Sequence, residues 1–356
     1  MKPRLLVLSR YSRMGASSRL RTLQYRQWLI DAGFEVEYAA LFDDHYLHQL
    51  YSGRKDRVGL AKYYRQRIAQ IRRRPRPDLI WLEYEALPWL PWSLERALLP
   101  ASVPLISDYD DAVFHRYDQH RSSSLRWFLG QKIDRIMQHS ELVTAGNNYL
   151  ASRARQAGAA HVEIVPTVVD IAHYSVNTKA IPESLPQVGW IGTPNTWNTF
   201  GKTLYEELKE TLIDHHAGFR AVGAQLQPET NGPLEITTWS EESEVSEIQA
   251  MDIGIMPLSD TPWARGKCGY KLIQYMACGL PVVASPVGVN KKIVEHGVNG
   301  FLAESVEDWR NAISRLLSNP DLRHRMGAAG RTKVKKHYSL QVWGPRVAQM
   351  ILQVAL

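Results

Sequence analysis

The chain has 356 residues, which is long for one α/β core and suits two domains of about 150–200 residues each. Its 44% hydrophobic and 22% charged residues exclude a largely disordered or low-complexity chain. The apolar run at residues 5–8 is too short for a secretory signal, and no stretch approaches the roughly 20 apolar residues of a membrane-spanning helix. Cys268 and Cys278 have neither metal-ligand nor disulfide spacing, so the sequence predicts a cytoplasmic protein without bound metal.

Positive charge is concentrated in the first half of the sequence. Residues 1–180 contain 26 Lys and Arg against 18 Asp and Glu, a net charge of +8, and the remaining 17 basic and 18 acidic residues give −1. This asymmetry predicts an anionic partner, which could be a membrane surface, an anionic acceptor or a nucleic acid. Nucleic acid is the least favoured because no recognised binding motif occurs and few aromatic residues interrupt the basic run.

The first half alternates short apolar strands with helical segments. Residues 20–32 have the pattern of a helix that ends at Gly33. Strands are predicted at 4–9, 34–40, 78–83, 103–108, 142–145 and 162–165. This β–loop–α–β order predicts a parallel sheet covered by helices.

A polar, proline-containing stretch at 171–186 interrupts the pattern, which then restarts. Strands are predicted at 188–192, 219–223, 234–239, 253–258 and 281–285. Helices are predicted at 197–214, 242–251, 267–278, 290–296, 305–317, 320–336 and 340–356. We therefore expect two doubly wound domains at 1–175 and 187–338, a linker at 176–186, and a terminal helix at 339–356 that could cross back to the first domain. Ligands of such sheets bind outside the carboxyl ends of the strands, and a cleft between two domains is a favoured site.

The most informative segment is 252–303. A buried strand leads into a polar loop with Arg265, Gly266 and Lys267, then into an apolar helix, a second strand and another helix. Asn290 is a natural N-cap for that last helix, and the spacing of Lys267 and Lys271 places both on one helix face. Helix N-termini and up to three cations would suit a diphosphate. The alternative is an ordinary βαβ unit with a solvated basic loop.

These residues resemble the donor-binding region of the retaining glycosyltransferase family four, which has the two-domain GT-B fold. The closest stretches are GYKLIQYMACGLPVVAS at 269–285, VGV at 287–289 and GVNGFL at 297–302. Weaker matches are VGWIGT at 188–193, IVPTVVD at 164–170, GASSRLR at 15–21 and DYDDA at 108–112. The resemblance spans nearly the whole chain and implies two Rossmann-like domains facing a central cleft, the first binding the acceptor and the second the nucleotide-sugar.

The resemblance also implies which residues contact the donor. They are Gly15, Arg19, Gly192, Thr193, Trp239, Arg265, Gly266, Lys267, Lys271, Gln274, Gly288, Val289 and Asn290. The family's two glutamates, eight residues apart, fall on Gly266 and Gln274 here, and Gln274 can still hydrogen-bond a ribose hydroxyl. Loss of the first glutamate leaves the identity of the sugar open. The basic residues usual after the first glycine loop are also absent, so Arg265, Lys267 and Lys271 are expected to supply the counter-charge.

The implied reaction transfers a sugar with retention from a UDP- or GDP-sugar to a glycan or lipid-linked acceptor, without a metal or other cofactor. In retaining members the donor phosphate is thought to accept the acceptor's proton. Asp110 and Asp111 are the catalytic candidates that would orient the sugar or acceptor, although a strand-end turn or helix cap is the structural alternative. His115 could join them, but a lone histidine is more often structural. Bacterial envelope polysaccharide or lipopolysaccharide synthesis is the usual setting of the family.

The basic run at 54–76 contains an apolar stripe of Leu60, Tyr64, Ile68 and Ile71 at helical spacing. With the surrounding cations, among them Arg65, Arg72 and Arg73, it predicts a peripheral contact with an anionic membrane at the inner face. A solvated helix packed on its own domain is the alternative. Glu85, at the end of a predicted strand, is a candidate acceptor contact.

Two other functions remain open at this stage. The lost glutamates suggest a weak or inactive GT-B homologue that acts as a partner subunit. A nucleotide-sugar epimerase of the same fold would need acid–base carboxylates and histidine in the donor half, where no convincing cluster occurs.

Overall fold

The computed structural model describes residues 2–51, 57–176, 185–225 and 232–355. The chain divides into two compact units. The first comprises Met1–Thr167, Arg265–Cys268 and Trp343–Leu356, and the second comprises Val168–Ala264 and Gly269–Val342. Most of the predicted linker at 176–186 lies outside the described residues. The first residues of the basic run at 54–76 also lie outside them.

The first unit contains a six-stranded sheet in the order β2-β1-β3-β4-β5-β6, with every pairing parallel. Its strands are β1 Arg4–Tyr11, β2 Glu35–Phe42, β3 Leu79–Glu83, β4 Leu105–Tyr109, β5 Leu142–Ala145 and β6 Val162–Ile164. The helices are α1 Ala16–Arg21, α2 Arg26–Asp31, α3 Asp44–Tyr51, α4 Arg57–Arg72, α5 Trp92–Leu98, α6 His115–Asp118, α7 Ser123–Leu129, α8 Lys132–His139 and α9 Asn148–Gln156, with a 3₁₀ turn at Leu23–Tyr25. The predicted helix at 20–32 is thus broken into three pieces.

The second unit contains a second parallel sheet in the order β12-β11-β10-β7-β8-β9. Its strands are β7 Gln187–Ile191, β8 Gly218–Val222, β9 Leu234–Thr237, β10 Ile253–Met256, β11 Val282–Ala284 and β12 Gly300–Leu302. The remaining helices of the chain are α10 Pro194–Thr196, α11 Lys202–Asp214, α12 Glu244–Gln249, α13 Pro262–Arg265, α14 Tyr270–Ala277, α15 Asn290–Ile293, α16 Val306–Leu317, α17 Pro320–His337 and α18 Leu340–Ala355, with a π turn at Trp197–Gly201.

Both sheets are buried on two faces, as is typical of parallel sheets flanked by helices. In β1, the run from Leu5 to Leu8 is at most 3% exposed, and in β10 Ile253 and Ile255 are fully buried. The eleven predicted strands are all present, with ends that differ by no more than two residues, whereas β12 was not predicted. Within the described residues, no helix is long and apolar enough to span a membrane.

The order of strands reverses once in each sheet, between β1 and β3 and between β7 and β10. At such a switch point the loops after the two strands diverge to opposite faces and leave a crevice at their carboxyl ends. The loops that carry most of the predicted site residues are those that follow β1, β3 and β4 in the first unit and β7, β10 and β11 in the second.

Candidate functional site

A cluster of polar side chains lies at the carboxyl ends of β3 and β4 in the first unit. Asp110 and Asp111 directly follow β4, and Tyr84 directly follows β3. The hydroxyl of Tyr84 donates a hydrogen bond to Oδ1 of Asp110. The ammonium of Lys267 lies 2.8 Å from Oδ2 of Asp111. Four side chains from distant parts of the sequence are therefore brought together, and three of them were predicted site residues.

The electrostatics of this cluster are unusual. Burial raises the pKa of Asp110 to about 7, with the neighbouring Asp111 acting in the same direction and Arg21 opposing it. Burial alone would lower the pKa of Lys267, but Asp111, with help from Asp110, raises it above its ordinary value. Oδ1 of Asp111 is buried and accepts no hydrogen bond from the described residues. A carboxyl that titrates near neutral pH beside a cation is suited to binding and proton handling.

Tyr84 is strained where it meets Asp110. Its φ is +61°, a left-handed conformation that non-glycine residues rarely adopt. Such strain persists only where surrounding contacts hold it, and it is concentrated at functional sites. Here the phenol is fully enclosed in the site and its hydroxyl orients the Asp110 carboxyl.

The segment Arg265–Cys268 is fixed in the first unit by Asn147. The side-chain amide of Asn147 donates to the carbonyls of Gly266 and Lys267 at 2.9 and 3.0 Å. Its Oδ1 accepts from the amide of Leu150 at 3.0 Å and so caps α9. The thiol of Cys268 donates to the carbonyl of Asp110 at 3.1 Å. These bonds set the position of Lys267 beside the two aspartates.

Gly266 occupies the position where the resembled family carries its first glutamate. A Cβ placed on Gly266 would lie 2.6 Å from Cβ and 2.7 Å from the backbone nitrogen of Ala112. Both distances are shorter than any ordinary contact, so a side chain at 266 would displace the backbone beside Asp111. The packing of Gly266 against Ala112 therefore leaves no room for a glutamate side chain at this position.

Behind the cluster, Arg21 and Asp108 form a fully buried ion pair. The guanidinium binds both carboxylate oxygens at 2.9 and 2.7 Å and also donates to the carbonyl of Val165 at 2.7 Å. Thr144 donates to Oδ1 of Asp108 at 2.5 Å. This network joins α1 to β4, β5 and the end of β6, and thereby supports the loops that carry the site.

In the second unit, Lys271 and Gly192 meet at the carboxyl end of β7. The Lys271 ammonium lies 4.4 Å from the centre of the Trp190 ring, a cation–π contact. It is also 2.7 Å from where a Cβ on Gly192 would lie, so glycine leaves the room for this cation. Next to it, the amide of exposed Thr193 donates to the hydroxyl of Thr196 at 3.2 Å, which starts α10.

The prediction that Lys267 and Lys271 share a helix face is wrong. Gly269 has a φ of +69°, so α14 begins only at Tyr270 and Lys267 lies in the loop before it. Lys267 pairs with Asp111 in the first unit, whereas Lys271 lies on α14 in the second. Arg265 is an exposed residue at the end of α13 and belongs to the first unit.

Gln274 and Trp239 belong to a second hydrogen-bond network. Trp239 donates through its ring nitrogen to Glu244 at 2.8 Å, and Tyr174 donates to the other Glu244 oxygen at 2.5 Å. The side-chain amide of Gln274 donates to the Tyr174 hydroxyl at 3.2 Å. The Tyr270 hydroxyl lies 3.1 Å from the same Tyr174 hydroxyl. Gln274 itself is only 2% exposed, so as it stands its amide serves this internal network and is not open to a ribose.

The role predicted for Asn290 as an N-cap is also wrong. The cap of α15 is Val289, and Asn290 is the first residue inside that four-residue helix. Its amide donates to the carbonyl of Ser285 at 3.1 Å, and the side chain is fully buried. Gly288 before it has a φ of +54°, which turns the chain between β11 and α15. Asn290 therefore connects the end of β11 to α15 through a buried side-chain hydrogen bond.

The loop after β1 is held by Glu83 at the end of β3. Oε2 of Glu83 accepts from the amide of Arg10 at 2.9 Å and from the hydroxyl of Ser18 at 2.6 Å. Gly15 begins α1 and has no room for a side chain, since a Cβ would lie 2.3 Å from Cβ of Tyr11. Arg19 is 7% exposed and donates to the carbonyl of Arg13 at 3.1 Å.

The prediction of Glu85 as an acceptor contact does not fit its surroundings. Its side chain is completely buried and lies 2.7 Å from the Lys132 ammonium. The Tyr117 hydroxyl donates to it, and the Arg10 guanidinium is 3.6 Å away. Burial acts to raise the pKa of Glu85, but Lys132 and Arg10 together hold it below its ordinary value. Glu85 is the anionic centre of a buried ion network in the first unit.

The basic helix predicted to lie on a membrane is α4, and its apolar stripe is used within the first unit. Ile71 is buried there, and Tyr64 and Ile68 pack against the same core. Arg67 is fully buried and donates to the carbonyls of Ser9 and Ala39, and burial lowers its pKa to about 9. What remains of the predicted membrane face is a set of exposed cations, namely Lys62, Arg65, Arg72, Arg73, Arg74 and Arg76, of which Arg73 is paired with Glu37.

Sequence reasoning missed Tyr84, Asn147 and the Glu244 network. An Asn placed before a helical segment at 148–156 was a cap signal that could have been used for Asn147. Nothing in the sequence pattern marks Tyr84 or Glu244, because their roles depend on long-range contacts.

His115, the third catalytic candidate, is bound at both ring nitrogens, by Asp118 at 2.8 Å and Tyr149 at 2.7 Å. Among the described residues there is no group of three or more His, Cys, Asp or Glu that could hold a metal ion.

Comparison with solved structures identifies the class of fold. The whole chain superposes on sucrose-phosphate synthase from Thermosynechococcus elongatus with a TM-score of 0.71 at 17% identity, covering 99% of both chains. It also superposes on Anabaena HepE in complex with UDP and glucose with a TM-score of 0.68 at 15% identity, covering 99% of this chain and 100% of the other. The two six-stranded parallel sheets are those of the GT-B fold, which confirms the predicted fold class.

Sequence comparison finds a similarity within the second unit. Residues 186–319 match the family Glycosyl transferases group 1. D-inositol 3-phosphate glycosyltransferase of Thermobifida fusca is 41% identical over 64 residues, 17% of this chain and 15% of that protein. Spore coat protein SA of Bacillus subtilis is 33% identical over 82 residues, 22% of this chain and 21% of that protein. Part of the second unit is thus similar to glycosyl transferases group 1 domains, while these curated relatives are matched over about a fifth of their length or less.

Proposed function

We propose that this protein is a retaining glycosyltransferase that moves a sugar from a nucleotide-sugar to a glycan or lipid-linked acceptor. The match of residues 186–319 to the Glycosyl transferases group 1 family carries the proposal. The GT-B relative HepE was solved with UDP and with UDP-glucose, which favours UDP as the first nucleotide to test. In this proposal residues 1–175 bind the acceptor and residues 187–338 bind the nucleotide-sugar.

The proposed chemistry needs positive charge at the leaving nucleoside diphosphate. Lys271, held over Trp190 at the end of β7, is the cation of the second unit that fits this role. Arg265, the last residue of α13, and Lys267, in the loop that follows, are proposed to add positive charge. Fixed cations stabilise the developing phosphate charge in the transition state, so the reaction is proposed to need no metal.

The aspartate cluster is proposed to act on the sugar and acceptor. With its pKa raised to about 7 by burial, Asp110 is protonated in part of the population at neutral pH and can donate or accept a hydrogen bond. Asp111, paired with Lys267, stays available as an acceptor through its unpartnered Oδ1. In a retaining reaction the two would orient the hydroxyls, while the donor phosphate takes the acceptor's proton.

We propose a role in cell-envelope polysaccharide synthesis at the cytoplasmic face of a membrane. The net charge of +8 over residues 1–180 supports an anionic surface or acceptor for the first unit. A weak or inactive homologue that serves as a partner subunit is the second candidate, because Gly266 and Gln274 replace the two glutamates of the resembled family.

A donor screen tests the proposal. The protein is mixed with UDP-, GDP- and ADP-sugars, and both thermal stability and release of the nucleoside diphosphate are measured. A ligand at about 100 times its Kd stabilises the folded state by about 2.7 kcal/mol, which moves the melting temperature by several degrees. Stabilisation with no turnover on any acceptor would support the inactive homologue. A shift with oligonucleotides alone would overturn both.

Substitution of the cations tests the site itself. Lys271→Ala and Lys267→Ala should each weaken nucleotide-sugar binding by about 1–3 kcal/mol, the contribution of a charge-assisted hydrogen bond. Lys209→Ala on α11 removes the same charge beside Gly232, just before the start of β9, and is the matched control. Unchanged affinity in both site variants would refute the assignment of these cations to the phosphates.

A further inference from the structure

The short helix α7 in the first unit carries an exposed pair of aromatic side chains. Trp127 is 87% exposed, more than any other large apolar side chain of the described residues, and its neighbour Phe128 is 58% exposed. Their ring centres are 6.4 Å apart with the planes inclined by 27°. Single exposed apolar residues are normal on a protein surface, but two adjacent, solvent-exposed aromatic rings indicate an interaction surface.

The fold itself does not need these two rings. The inner face of α7 is formed by Leu125 and Leu129, which are four residues apart; Leu129 is 1% exposed and Leu125 packs against the core. Ser122 caps the helix by accepting from the amide of Leu125 at 3.5 Å. The packing of Leu125 and Leu129 thus sets the orientation of α7. In this orientation Trp127 and Phe128 point outward.

The charges around the pair identify the partner. Residues 119–133 contain no Asp or Glu, and Arg121 and Arg126 are both exposed. The Arg126 guanidinium donates to the carbonyls of His120 and Arg121 at 2.6 and 3.2 Å, which holds a cation at the start of α7. A second copy of this chain would bring the same cations together and be repelled, whereas a surface of anionic headgroups would be attracted.

We propose that α7 is the surface by which the protein docks on an anionic lipid bilayer. Trp127 and Phe128 enter the boundary between headgroups and acyl chains, where aromatic rings are favoured, and Arg121 and Arg126 lie against headgroup phosphates. This places the membrane contact on α7 and not on α4, whose apolar stripe packs inside the first unit. The inference deepens the membrane contact of the proposed function but rests on neither nucleotide binding nor sugar transfer.

Vesicle partitioning of the full-length protein tests the proposal. Vesicles of phosphatidylcholine with about 30% phosphatidylglycerol are compared with phosphatidylcholine alone. The double variant Trp127→Ser/Phe128→Ser should partition onto the mixed vesicles at least about tenfold more weakly, while Ile213→Ser, which removes a 53% exposed side chain from α11, should leave partitioning unchanged. Arg121→Gln/Arg126→Gln should lose the preference for phosphatidylglycerol.

Two other outcomes would contradict the proposal. Equal partitioning of the wild type and the aromatic variant would place the membrane contact elsewhere. A dimer of the wild type that the aromatic variant abolishes would assign α7 to a second copy of the chain. Thermal stabilisation by UDP, measured on the same samples, should be identical in all of them; its absence everywhere would count against the proposed function and leave the vesicle result to stand separately.

Discussion

Asp110 is the residue that should make the stability of the protein depend on pH near neutrality. Burial raises its pKa to about 7, against about 3.9 in an unfolded chain. Between those values the folded state keeps a proton that the unfolded state has lost, so the free energy of unfolding falls as pH rises from about 4 to about 7. The slope is at most about −1.4 kcal/mol per pH unit. Asp110→Asn should remove the contribution of Asp110 to this decrease in the free energy of unfolding. Urea unfolding at about pH 5 and about pH 8 would measure the difference.

The control for Asp110 is a carboxylate of the same charge in open solvent. Asp214→Asn, at the exposed end of α11, removes one negative charge without removing a buried group. The gain of the Asp110 variant over the wild type should be larger at the higher pH, and the Asp214 variant should show no such trend. If the two variants respond alike at both pH values, Asp110 does not titrate in the range proposed.

At the scale of elements, Arg21 fastens α1 to the sheet of the first unit. It is 1% exposed and binds Asp108 of β4 through two hydrogen bonds. Arg21→Met keeps most of the side-chain volume but leaves the Asp108 carboxylate buried without its cation. A loss of this kind costs about 3–5 kcal/mol, which should appear as a lower free energy of unfolding in urea.

A double-variant cycle separates the charge from the packing. Arg21→Met/Asp108→Asn removes both charges, so it should be less destabilised than the sum of its two single variants. Thr144, which donates to Asp108 at 2.5 Å, can still donate to the asparagine carbonyl. Strictly additive losses would show that the two residues stabilise the unit independently.

Elements were predictable from the sequence where the pattern is local. Apolar runs predicted eleven strands, whereas β12, Gly300–Leu302, begins with a glycine and offers only two apolar side chains in a row. The predicted helix at 267–278 was interrupted because Gly269 adopts a positive φ, which starts α14 at Tyr270. That one backbone conformation separated Lys267 from Lys271 and changed which side chains could act together.

For the molecule as a whole, the fold followed from the order of strands and helices, but the site's contacts did not. Lys267 and Asp111 are 156 positions apart, and only the folded chain shows that they pair. Glu85 looked like an exposed strand-end carboxylate, and its burial depends on Lys132, which is 47 positions away. The sequence therefore indicated the residue types of the site and the ends of the strands that carry them, while the pairing within the site required the structure.

Metal independence is part of the proposed function. If the proposed function holds, transfer should continue after EDTA treatment, because the cations proposed to bind the diphosphate would offset the charge that a divalent metal would otherwise neutralise. The measurement is release of nucleoside diphosphate from the best donor, with and without EDTA, in wild type and in the Lys271→Ala variant. We expect equal rates for the wild type in both conditions. Loss of activity that Mn²⁺ restores in the wild type would show that a metal ion, and not these side chains, stabilises the leaving group.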